Sequence, residues 1–337
     1  MPNELPSTIH TRFTREFALS VPIAQAPMGG AAGPRLVAAA ADAGALAILP
    51  VWFGTPTAAN DVISQTRALT RKTFAVNLRA DLEQSGHIAA ALDAGIEIFH
   101  FFWGDPASAM AAIRGAGARM IATVSDLETT KAALDAGATA LIAQGVEAGG
   151  HVFGNTPLAE LVSQVVDAAA GIPVAAAGGI VDGKDVADVL SLGASAAVLG
   201  TRFVATDESD AHPAYKQALV DARDGDTVLS KCFDGFWPDA PHRTLKNSTY
   251  RAWVEAGSPS AGSRPGEGDI LMRSPIGIDI PRYHAATPTN RMAGDCEGMA
   301  LYAGTGVGRI NNIRPVRSVI DEIVTTAAAR LARKVDR

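Results

Sequence analysis

The sequence predicts an α/β chain: a TIM (β/α)8 barrel with a smaller, partly helical cap inserted after strand eight. Three observations carry that expectation. A short phrase recurs up to residue 206, in which an Ala-rich helical stretch ends on glycine and a brief apolar run follows. The phrase returns at a near-constant interval, with Gly95 to Gly117 spanning 22 residues, Gly117 to Gly137 20, and Gly171 to Gly193 22. The pattern then stops at Thr206, beyond which Pro, Asp, Arg and aromatic residues become frequent. Each interval holds one strand, one helix of about ten residues and two short turns, and eight such units close a barrel. A doubly wound open sheet of the same units is the alternative.

Taken in order, an opening strand is expected at 23–26. Ala41-Asp42-Ala43-Gly44 introduces a strand at 45–49, and a third follows at 73–77. Ala91-Leu92-Asp93-Ala94-Gly95 leads into 96–101, Gly115-Ala116-Gly117 into 118–123, and Ala133-Leu134-Asp135-Ala136-Gly137 into 139–143. The last two strands are read at 173–176 and, after Leu190-Ser191-Leu192-Gly193, at 196–200. Glycine just past a helix takes the left-handed C′ position without a Cβ penalty. Apolar runs this short suit strands buried on both faces. Residues 207–300, with a loop-like stretch at 258–268, are assigned to the cap. Residues 316–334 have helical periodicity and close the barrel, which is therefore made of 1–206 and 301–337.

Composition narrows the function classes. At 47% hydrophobic and 19% charged residues the chain is not of the disordered class. A net charge of −6 without a basic block argues against a nucleic-acid binder. Cys232 and Cys296 cannot build a disulfide framework or a multi-cysteine metal cluster and are read as small buried hydrophobes. No spanning helix is expected, and residues 1–17 lack the apolar core of a secretory signal. A soluble, cytoplasmic monomer or homodimer is the expectation.

In such a barrel the chemistry sits in loops after the strands, and several are unusual. Gln25-Ala26-Pro27-Met28-Gly29-Gly30 ends strand one with backbone open to close approach. Gln144-Gly145-Val146-Glu147-Ala148-Gly149-Gly150-His151 follows strand six and puts an imidazole, ordinarily ionising near pH 6.5, where it can move protons. No second His or Cys lies beside it, so no metal is expected. Ala177-Gly178-Gly179 after strand seven and Gly200-Thr201-Arg202 after strand eight fall where this fold binds phosphate, whether of a cofactor or a substrate. Asn77 either bonds a heteroaromatic ring or caps its loop. His100, within Phe99-His100-Phe101-Phe102-Trp103, either lines a pocket or belongs to the core.

These segments, with 74–78, 173–182 and 200–206, together resemble the nitronate monooxygenase family, once called 2-nitropropane dioxygenases. Glu208-Ser209, Ala211-His212, Tyr215-Lys216 and 302–308 extend the resemblance, which runs from about residue 20 to 315. The resemblance implies non-covalent FMN. It implies that Ala26, Pro27 and Met28 face the isoalloxazine, that Asn77 and Gln144 bond it, and that Gly149 and Gly150 let backbone approach it. Ala177, Gly178, Gly179, Gly200 and Thr201 would cradle the phosphate, with Thr305 in the closing loop over the cofactor. His151 matches the catalytic histidine, the base that takes a proton beside a nitro group or orients a nitronate already formed. His100 matches a histidine of the substrate pocket, and Tyr302 is a candidate wall of that pocket. The implied reaction oxidises an alkyl nitronate, or a nitroalkane, with O2 to a carbonyl compound and nitrite. Two departures bear on substrate: Val152-Phe153 stands where the family commonly has Arg then Gly, and Thr305 where the closing loop usually has Gln or Ser. The runner-up is an FMN-dependent NAD(P)H reductase of the quinone or enoyl-acyl-carrier-protein type. No Schiff-base lysine ends a strand, which counts against an aldolase.

Overall fold

A computed structural model describes residues 9–335. Eight parallel strands close into a barrel: β1 (Ile23–Gln25), β2 (Leu46–Pro50), β3 (Ala75–Arg79), β4 (Ile98–Phe102), β5 (Arg119–Val124), β6 (Ala140–Gln144), β8 (Val174–Ala177) and β9 (Ala196–Leu199). β7 (Gly150–His151) lies outside that ring. Closure is made by β1 against β9, with Ile23 opposite Ala197 and Gln25 opposite Leu199. Gly137 shows why the repeat works: it caps helix Leu127–Ala136 at φ 92°, a left-handed conformation that side chains with a Cβ avoid.

Alternation along the strands separates two apolar layers. Ala24, Leu46, Ile48, Ala75, Ile98, Ile121 and Ile142 fill the barrel interior, while Ala47, Leu49, Val76, Phe99 and Leu141 face the surrounding helices. Phe13 and Phe17, on and just after helix Arg12–Glu16, join the interior layer and stop its N-terminal end. That helix is tied down by Thr11 Oγ1 donating to the carbonyl of Ser195. The C-terminal helix Val316–Val335 packs on helices Gly183–Ser191 and Pro34–Asp42, so it completes the outer ring. The barrel interior itself is plugged by the two N-terminal phenylalanines.

Several strands run one or two residues later than the sequence suggests. β3 continues through Leu78 to Arg79, whose side chain is buried because Asp81 pairs with it. A charged residue made the strand look as if it ended early. Beyond β9 lie helices Pro213–Asp221 and Ser248–Glu255 and more strand than expected. β10 (Thr227–Ser230), β11 (His242–Leu245) and β7 form one antiparallel sheet in the order β10-β11-β7. β12 (Ile270–Arg273), β13 (Asp279–Pro281) and β14 (Ala293–Gly294) form another. Cys232 and Cys296 are free and buried. Among the described residues no helix is long and apolar enough to cross a membrane.

Candidate active site

The C-terminal strand ends open into a cavity of about 670 Å³, within the range typical of small-molecule sites. Of the residues singled out from sequence, it is lined by Ala26, Pro27, Met28, Asn77, His100, Gln144, Gly149, Gly150, His151, Ala177, Gly200, Thr201 and Tyr302. Gly178, Gly179 and Thr305 stand behind that wall. A Cβ on Gly179 would lie 2.7 Å from Thr305 Oγ1, so those two pack against one another, while Gly178 faces the backbone of Gly145 and Ala148. The loops expected to bind phosphate are thus divided between residues that line the cavity and residues that do not.

His151 is placed by pairing. As part of β7 it lies opposite His242 of β11, so the loop after β6 is an edge strand of the overlying sheet. Gln144 strengthens this hold, its Nε2 donating to the His151 carbonyl at 3.2 Å and its Oε1 accepting from the Phe153 amide at 3.4 Å. The amide expected to meet a flavin is therefore engaged with the histidine loop. Glu147 accepts from the Leu158 amide at the start of helix Leu158–Ala168, and its carbonyl accepts from the Thr305 amide. A Cβ on Gly149 would stand 2.5 Å from the Gly304 nitrogen, so that glycine admits the closing loop. Gly150, at φ 81° with nothing within 4 Å of its absent Cβ, leaves space on the cavity side.

The imidazole of His151 stacks on Trp237 at 3.8 Å between centroids and 21° between planes. The Arg79 guanidinium lies 3.4 Å from the same indole centroid, and Trp52 and Trp103 meet Trp237 edge-on. Burial pushes the His151 ionisation down to about 3, helped by His242 and Arg79. The ring is therefore neutral at ordinary pH. Its Nε2 is buried without a hydrogen-bond partner, which is costly unless a ligand supplies one.

His100 is placed differently. Asn77 Nδ2 lies 3.0 Å from its Nδ1, and its Nε2 lies 2.8 Å from Thr123 Oγ1. Burial alone pushes its ionisation down to about 3. With the amide oriented so that Asn77 donates, the neutral ring carries its proton on Nε2 and donates to Thr123. Asn77, His100 and Thr123 so form a hydrogen-bonded row across β3, β4 and β5 in the cavity floor. Tyr302 donates from its hydroxyl to the Ala285 carbonyl at 2.7 Å and presents its ring to His151.

Sequence reasoning missed Trp237, Arg79 and Thr123. The aromatic pair Phe236-Trp237 in a polar stretch was the available signal for the first, and a strand extended by two residues would have exposed the second. The cavity suits a phosphate-bearing flavin: among the described residues no Asp or Glu lines it, Gly150 leaves open space while a Cβ on Gly200 would meet only Ala26 Cβ and Met28 Sδ, each at 3.7 Å, and an orphaned imidazole nitrogen faces no protein acceptor. Among the described residues no group of three or more His, Cys, Asp or Glu could hold a metal ion.

Comparison with known proteins agrees with this geometry. The chain is 34% identical to (3aS,4S,5R,7aS)-5-hydroxy-7a-methyl-1-oxo-octahydro-1H-indene-4-carboxyl-CoA dehydrogenase of Mycobacterium tuberculosis, over 96% of this chain and 97% of that one. Its structure is similar to nitroalkane oxidase from Streptomyces ansochromogenes, with a TM-score of 0.78, 32% identity, and coverage of 96% and 99% of the two chains. It is also similar to FabK from Thermotoga maritima, with a TM-score of 0.81, 28% identity, and coverage of 98% and 99%. The nitronate monooxygenase family model matches residues 11–92 and 83–326, and on that match the chain belongs to the nitronate monooxygenase family and is a flavin-dependent oxidoreductase.

Proposed function

We propose that the protein oxidises alkyl nitronates with O2 to a carbonyl compound and nitrite, using FMN. The observation that carries this reading is His151: a neutral imidazole at the end of the barrel, with a buried, unpartnered Nε2. The bound flavin would accept electrons from the nitronate and pass them to oxygen. Ala177, Gly200 and Thr201 would hold its phosphate, and Ala26, Pro27 and Met28 its ring. His151 would hydrogen-bond the nitronate and fix its orientation.

Base strength decides between the two roles open to this histidine. A ring ionising near 3 is a poor acceptor for a proton on a neutral nitroalkane. It becomes a base only as the nitronate anion forms beside it and stabilises the imidazolium. Preformed nitronates are therefore the better substrates, and nitroalkanes the slower ones.

Similarity to the mycobacterial thioester dehydrogenase supports a second reading, oxidation of an acyl-CoA. Against it, no carboxylate among the described residues lines the cavity, and a neutral histidine is weak for removing a proton beside a thioester. Nitrite release from ethyl nitronate and from nitroethane tests the first reading. The expected result is kcat/KM at least about 100-fold higher for the nitronate, a difference of roughly 2.7 kcal/mol in barrier. His151→Ala should keep the yellow flavin and lose more activity on nitroethane than on the nitronate. Anaerobic flavin bleaching by NADH or by an acyl-CoA, with none by a nitronate, would overturn the proposal.

A further inference from the structure

The cavity mouth is apolar where solvent would be expected to favour polar side chains. Phe53 is 48% exposed, Leu82 42% and Phe236 87%, and all three line the same opening. Exposed apolar side chains scattered singly need no explanation, but a cluster at a cavity rim marks a binding surface. The wall beneath continues in kind with Trp52, Phe102 and Trp237.

Phe236 is held in place. It sits at φ 70°, a left-handed conformation unfavourable for a bulky residue. The neighbouring backbone is fixed by the Gly235–His284 bridge and by the bidentate Arg264–Asp234 pair, both contacts at 2.7 Å. The Phe236 ring also rests on the His284 ring, with centroids 4.6 Å apart.

Charge at the mouth is accounted for. Arg79, the one Lys or Arg side chain among the described lining residues, is paired through Nε and Nη2 with the Asp81 carboxylate, at 2.9 and 2.6 Å. It also lies flat on Trp237. His284 Nδ1 accepts from the Ala286 amide at 2.8 Å, and both His100 nitrogens are engaged. A second anionic group on the substrate would meet no uncommitted cation among the described lining residues, and its desolvation would go uncompensated.

From these observations we infer that the preferred nitronate carries a bulky apolar substituent, seated on Phe53, Leu82 and Phe236, and no second charge. This rests on the nitronate reading above. A carboxylate-bearing nitronate such as propionate-3-nitronate is a poor substrate on this account.

The FMN-loaded protein would be assayed for nitrite release from ethyl, butyl and hexyl nitronates and from propionate-3-nitronate. Each buried methylene favours binding by a factor of about four, the equivalent of about 0.8 kcal/mol. Hexyl should exceed ethyl nitronate in kcat/KM by at least about tenfold, and butyl nitronate should exceed propionate-3-nitronate by about as much. Phe236→Ala and Phe53→Ala should each compress the hexyl-to-ethyl ratio several-fold. A ratio near one in the wild type, or propionate-3-nitronate as the best substrate, overturns the inference. An unchanged ratio in both variants overturns the assigned seat. Absence of nitrite from every nitronate, with flavin bound, overturns the underlying nitronate reading and this inference with it.

Discussion

Replacing His100 with glutamine separates its structural role from any catalytic one through pH. The ring is 1% exposed and bonded on both sides, and burial pushes its ionisation from the ordinary 6.5 down to about 3. The folded protein thus holds the ring neutral, whereas the unfolded chain protonates it near pH 6.5. Below that pH the unfolded chain binds a proton the folded one does not, so stability falls as the solution is acidified. The loss ends only when pH passes the folded value near 3. At about 1.36 kcal/mol per pH unit, acidifying from pH 7 to 5 removes about 2 kcal/mol through this ring alone. His100→Gln should lose about 1–3 kcal/mol at pH 7, because the glutamine cannot satisfy both Asn77 and Thr123. It should then lose about 2 kcal/mol less than wild type between pH 7 and 5. Other groups, His151 included, titrate in both proteins and cancel in the difference. Urea midpoints and slopes of the flavin-free proteins at several pH values measure this. Parallel stability curves for the two proteins would refute the argument.

Two further outcomes follow from contacts described above. Gly183→Ala would bring a Cβ within 2.3 Å of the Ile323 carbonyl oxygen and 2.8 Å of the Ala327 nitrogen, both backbone atoms of the C-terminal helix. Although alanine favours helix, thermal unfolding should show a net loss of about 1–3 kcal/mol. Trp237→Leu removes the ring on which His151 and Arg79 stack. It should lower kcat/KM for a nitronate about tenfold and raise the His151 ionisation toward its ordinary value, with NMR titration of the ring as the check.

The barrel was legible because its causes are local and periodic. A glycine after each helix and a short run buried on both faces leave a signature every twenty or so residues, and a shift of one or two positions does not disturb it. The overlying sheets were not legible. Their strands are two to four residues long, and β10 is half-buried throughout, so it has no alternating pattern to detect. The site divides in the same way. Gly149, Gly179 and Gly200 stood out as glycines, but what each glycine admits depends on the fold. The closing loop presses on Gly149 and Gly179, while Gly200 faces the side chains of Ala26 and Met28 at ordinary contact distance. Gln144 likewise sits where expected, yet its partners are the His151 carbonyl and the Phe153 amide, set by a loop conformation that pattern does not encode. Trp237 reaches His151 from a distant segment, and no spacing rule anticipates that.

The pairing of His151 with His242, and of Glu147 with Thr305, also sets an order of events during synthesis. His151 leaves the ribosome with its barrel strand already made, but its pairing partner comes later, and the loop that packs on Gly149 later still. At about 5–20 residues per second, the roughly 150 residues between His151 and Thr305 take about 8–30 s to make. Through that interval the nascent chain carries an incomplete site, with the histidine loop unpaired and the cavity unroofed. The mature pocket is therefore assembled only once the segment around Thr305 has been made, and any flavin bound earlier meets the strand-end loops without the segment that closes over them.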